Sequence, residues 1–98
     1  MKIYISGQIT GLEIDEAKAK FKEGEKVVSE IGETFVNPFD ILPQSDEYTW
    51  SDYMRADIKA LCDCDAILML DNWKNSEGAK LELHIAERLG MKIYYVLG

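Results

Sequence analysis

Four short runs of consecutive apolar residues alternate along the chain with three stretches in which apolar or small residues recur every three or four positions. Residues 2–6 and 34–36 read as short strands, and 66–70 and 92–97 are apolar enough for buried parallel strands. Between the first two, Ile14, Ala17, Phe21, Gly24, Val28 and Ile31 form the stripe of a helix over 13–31, which Gly32 ends. A second helix is expected over 50–61, and a third starts near Ser76, whose hydroxyl can cap it, and stops at Gly90.

The order βαβαβαβ implies an α/β fold: a three-layer, flavodoxin/Rossmann-like sandwich with helices on both faces of a four-stranded parallel sheet, most simply in strand order 2-1-3-4. Ligands of such sheets bind outside the carboxyl ends of the strands, where the strand order reverses. The segments leaving those ends are 7–12, 37–48 and 71–77, so Gly7, Gln8 and Ile9 face the crevice as candidate substrate contacts. The long connection 37–49, with Pro38 and Pro43, has the length at which loops commonly carry function.

Projected at about 100° per residue, the third helix gathers Gly78, Ala79, Leu81, Leu83, Ile85, Ala86 and Leu89 on one arc with Glu82 near its middle. The second gathers Trp50, Tyr53, Met54, Ile58, Ala60, Leu61 and Cys62, with Asp57 inside the arc. An unpaired buried carboxylate costs several kcal/mol or takes up a proton, so two of them beside one crevice call for a reason. Paired acids doing chemistry are one; satisfied partners of Lys80, Arg55 or a loop amide are the plainer one.

Composition narrows the partners. The chain of 98 residues, 47% hydrophobic, is expected to form one domain over 1–98. It shows no signal peptide and no apolar stretch near the ~20 residues of a membrane span, so a cytoplasmic protein with no membrane partner is expected. A net charge of −7 argues against a nucleic-acid polymer and leaves room for a small molecule. Cys62 and Cys64 are too close for an ordinary disulfide and read as reduced structural thiols, and the single His84 reads as a surface residue. Asp65 and Asp71 fall at opposite ends of a strand, roughly 20 Å apart at ~3.3 Å per residue, so neither a metal nor a cofactor is implied. Trp73 and Phe39, at strand ends, are candidates for stacking on a base, whereas Trp50 reads as core.

Three blocks carry a resemblance: Tyr4-x-x-Gly7-x-Ile9-x-Gly11, then Asp57 with Leu61 and Cys64-Asp65, then Ser76-x-Gly78-x-x-x-Glu82 with Ala86. Together they resemble the nucleoside 2-deoxyribosyltransferase superfamily along the whole chain. The first and last look closer to its 2′-deoxynucleoside 5′-phosphate N-hydrolases, and the chain also looks like small bacterial and phage members. The resemblance implies N-glycosidic bond cleavage or transfer on a nucleoside or nucleoside 5′-monophosphate. It makes Glu82 the nucleophile that forms a glycosyl-enzyme ester, Asp57 the carboxyl that handles protons at the base, and Tyr4 the residue that steadies Glu82. Ser76 and Gly78 match positions near the 5′ end of the sugar.

Two features depart from the nucleotide hydrolases. Gln8-Ile9-Thr10 replaces their Ser-Ile-Arg, removing the cation expected at a 5′-phosphate, and Glu77 adds a negative charge nearby. The chain also stops before the fifth strand and last helix typical of the superfamily, so a homodimer or higher homo-oligomer is expected to complete the pocket. Two other readings compete: a nucleotide-binding module without turnover, suggested by the missing cation, and a protein-interaction domain in which Glu82 and Asp57 are merely paired.

Overall fold

The computed structural model describes residues 1–97. Strands β1 (Lys2–Ser6), β2 (Thr34–Val36), β3 (Ala66–Met69) and β4 (Lys92–Tyr95) form one parallel sheet in the order β2-β1-β3-β4, as the alternation predicts. Helix α1 (Ile14–Glu30) covers one face, and α2 (Trp50–Cys62) and α3 (Glu77–Arg88) cover the other.

Side chains of a strand point alternately to its two faces, so each central strand feeds both layers. Ile3 and Ile5 of β1, with Ala66 and Leu68 of β3, meet Phe21 and Val28 of α1. Tyr4, Ile67 and Met69 turn the other way, toward Leu61 of α2 and Ala79, Leu83 and Ala86 of α3. Gly24 lets α1 lie close on the sheet: a Cβ there would sit 3.0 Å from both Ile5 Cγ2 and Leu70 Cδ2.

The helix ends follow local chemistry. Thr49 and Asp52 form a reciprocal capping box that starts α2, and Ser76 Oγ accepts from the Ala79 N–H at the start of α3. Gly32 (φ 78°) and Gly90 (φ 69°) take left-handed conformations after α1 and α3, closing each helix where a side chain would be strained.

Some expectations need correction. Trp50, read as core, is 52% exposed, because the first turn of α2 overhangs the end of the sheet instead of packing on it. Leu89 and Cys62, also placed on the apolar arcs, are exposed, since both lie in last turns that run beyond the sheet. Ile14 and Ile31 are likewise exposed at the two ends of the α1 stripe. The fourth apolar run is an edge strand, with Ile93 and Tyr94 half-buried and Tyr95 exposed, because nothing pairs with its outer side among the described residues.

Candidate functional site

The cavity that matters opens at the carboxyl end of the sheet, on the α2–α3 side, with a volume of about 220 Å³. Its floor comes from the central strand. Tyr4 and Ser6 are two residues apart on β1, so both project toward α3, and both are fully buried. There they meet Glu82, which is 4% exposed and sits on the buried face of α3 between Ala79 and Ala86.

The contact is bidentate. Tyr4 OH donates to Glu82 Oε2 at 2.7 Å, and Ser6 Oγ donates to Oε1 at 2.7 Å. Each carboxylate oxygen thus has one short hydroxyl donor, a charge-assisted arrangement that fixes the plane of the group. Asp57 enters from α2 through the same face as Met54 and Leu61, lines the cavity and receives no side-chain donor among the described residues.

Burial dominates the electrostatics. It pushes the Glu82 carboxyl up to about 7, against the opposing pull of the Ser6 and Tyr4 hydrogen bonds. Asp57 is also pushed up to about 7, first by burial and then by the charge of Glu82. Burial, followed by the two carboxylates, keeps the Tyr4 phenol well above its usual range, so it remains a hydrogen-bond donor. Two carboxyls that repel across one cavity do not readily ionise together. The hydroxyl donors favour the anion on Glu82, which leaves the proton on Asp57.

The loops complete the wall. A Cβ on Gly7 would fall 2.8 Å from Leu70 Cδ1 and 3.0 Å from Asn72 Oδ1, so glycine lets the first loop leave β1 against the exit of β3. Asn72 Oδ1 accepts from the Gln8 N–H at 3.1 Å and holds the two exits together. The long loop is strapped to α2 through Tyr53, whose hydroxyl donates to the Pro43 carbonyl at 3.0 Å and accepts from the Ser45 N–H at 2.9 Å. Tyr48 packs edge-on against the same ring, with centroids 5.7 Å apart.

Of the residues singled out in the sequence, Tyr4, Gly7, Ile9, Asp57, Ser76, Gly78 and Glu82 all line this cavity. Gln8, Phe39 and Trp73 do not. The Gln8 side chain turns back to donate to the Thr10 carbonyl at 3.1 Å. Phe39 packs edge-on against Phe21, with centroids 5.3 Å apart, on the α1 side of the sheet. Trp73 covers the α3-side core beside Tyr95, with centroids 6.1 Å apart.

The cavity also exposes residues that the sequence reading passed over. Ser6 is the main one; its offset of two from Tyr4 on a strand was the available signal. Thr10, Gln44, Trp50, Tyr53 and Met54 also line the wall. Among the described residues no group of three or more His, Cys, Asp or Glu side chains could hold a metal ion.

A parallel α/β sandwich whose sheet end carries two buried carboxyls over one cavity defines the structural class. Residues 1–95 match the family described as a domain of unknown function (DUF4406), and the chain belongs to that family. No curated protein matches the sequence. Among solved structures, the chain is similar to a 2-deoxyribosyltransferase from the psychrotolerant bacterium Bacillus psychrosaccharolyticus, described as a biocatalyst for the synthesis of antiviral and antitumoral nucleosides. The TM-score is 0.72 at 20% sequence identity, over 97% of this chain and 71% of that one. The likeness read from the sequence motifs therefore holds at the level of the fold.

Proposed function

We propose that this chain, acting as one domain, cleaves or exchanges the N-glycosidic bond of a nucleoside or nucleotide, with Glu82 as the nucleophile. The observation that carries the reading is the bidentate hold on Glu82 by Tyr4 and Ser6, beside a second carboxyl at a cavity. In the first step a Glu82 oxygen forms a bond to the anomeric carbon while the carbon–nitrogen bond breaks. The bonding pair leaves on the base nitrogen, which takes its proton from Asp57. The adjacent anion also stabilises the oxocarbenium-like transition state, as in retaining glycosidases. In the second step water, or another base, gives its proton to the Asp57 carboxylate and attacks the anomeric carbon. Glu82 is then released as the free carboxylate.

The fold shared with a 2-deoxyribosyltransferase supports this chemistry over other uses of a buried acid pair. Free thiols at Cys62 and Cys64 suit a reducing compartment, and no helix among the described residues is long and apolar enough to cross a membrane, so we place the activity in the cytoplasm. A homodimer is proposed with it; the open edge of β4 and its exposed Tyr95 offer a surface for the contact, and sedimentation at working concentration tests it.

The deciding experiment is chromatographic. The purified protein is incubated with ribo- and deoxyribonucleosides and their monophosphates, with and without a second free base, beside Glu82→Gln. Free base or an exchanged nucleoside from the wild type alone is the expected result. Silence across the panel from a folded protein would sink the proposal.

A further inference from the structure

The wall of the cavity carries acids and neutral polar groups but, among the described residues, no lysine or arginine. Its charged side chains are Asp57 and Glu82, both buried, and its other hydrogen-bonding groups include Thr10, Gln44 and Ser76. The first loop, 7–12, contains no cation. Cations close to the crevice in sequence are occupied elsewhere: Lys80 pairs with Glu77 at 3.6 Å, Lys20 with Asp71 at 3.1 Å, and Lys74 lies over the Trp73 ring. Glu77 places a further negative charge in the first turn of α3, beside Ser76 and Gly78.

We infer that this site takes an uncharged nucleoside with a free 5′-hydroxyl and discriminates against the corresponding 5′-monophosphate, an inference that rests on the N-glycosidic reading above. A phosphate dianion brought within about 8 Å of a buried carboxylate, at an effective dielectric near 20, loses roughly tenfold or more in affinity for each such charge. Nothing on the wall returns that loss. Backbone N–H groups at the start of α3 can receive a hydroxyl without bringing charge into the cavity, and the Ser76 hydroxyl already accepts one of them. The inference separates this chain from the nucleotide hydrolases that its motifs most resemble, and it does so through the charge of the whole wall.

The test measures equilibrium binding by calorimetry and base release by chromatography for matched nucleosides and 5′-monophosphates. The wild type is compared with Thr10→Arg, which sets a guanidinium on the cavity wall. At least one nucleoside is expected to bind the wild type roughly tenfold or more tightly than its monophosphate, and Thr10→Arg is expected to narrow that gap. A monophosphate bound as tightly as its nucleoside, or no nucleoside bound at all, overturns the inference. A gap that the arginine leaves unchanged assigns the discrimination to shape and overturns the charge argument. A nucleoside that binds without loss of its base supports the inference while removing the N-glycosidic reading, so the two failures are distinct.

Discussion

Ser6 donates a 2.7 Å hydrogen bond to Glu82 from the strand position that follows Tyr4 on the same face, so one strand supplies both donors to one carboxylate. Hydrogen bonds to charged groups contribute ~1.5–3 kcal/mol, which corresponds to roughly tenfold to a hundredfold in rate. Ser6→Ala is expected to fold, to lose about that much kcat with little change in KM, and to move the acid limb of the rate profile to higher pH. The direction follows because the Ser6 hydrogen bond lowers the Glu82 pKa. A ¹³C titration of the Glu82 carboxyl reads the same shift without any turnover.

Asp57, without a side-chain donor of its own, is the group from which a leaving base takes its proton. Asp57→Asn is expected to cost ~10²–10⁴-fold on natural nucleosides, the usual worth of a positioned acid. On a riboside with an activated leaving group, which departs without protonation, most of that loss should disappear. Equal losses on both substrates would mean that Asp57 does something else.

Both carboxyls have folded-state values raised to about 7, against ordinary values near 4. Between those limits the folded protein binds more protons than the unfolded chain, so stability falls as pH rises from about 4 to about 7. Melting temperatures should therefore decline from pH 5 to pH 8, and Glu82→Gln should flatten the decline and raise the value at pH 8. Activity needs one carboxyl ionised and the other protonated, which predicts a narrow bell centred near neutral pH. Its limbs belong to the pair as a whole.

Trp50 stands half-exposed at the mouth of the cavity. Trp50→Ala is expected to change stability by less than about 1 kcal/mol, as surface substitutions usually do. Its effect should fall on KM, since the indole can cover a bound base but lies outside the Tyr4–Ser6–Glu82 contact. A loss confined to kcat would argue against that assignment.

The regular elements were legible because hydrophobic period and helix caps are local properties. Gly32, Gly90, Ser76 and the central strands all stand where the pattern puts them. Glu82 and Asp57 were legible for a related reason, since a carboxylate within an apolar arc conflicts with its surroundings. The orientation of loop side chains was not. Phe39 and Trp73 both follow strands, yet each folds back onto a core layer, and which side a loop residue takes depends on packing that no periodicity encodes. Trp50 shows the converse: membership of an apolar arc says which face a residue occupies, and burial further requires something opposite it.

The reacting carboxylate is held by β1, a strand flanked on both sides by β2 and β3, while the mouth is drawn from the loop strapped to α2 by Tyr53. Amide exchange should be slowest where the chemistry sits and fastest where the ligand enters. A lineage carrying this fold can rewrite the 37–49 loop, and with it the choice of ligand, without disturbing Glu82. Specificity and reactivity are then free to evolve at different rates.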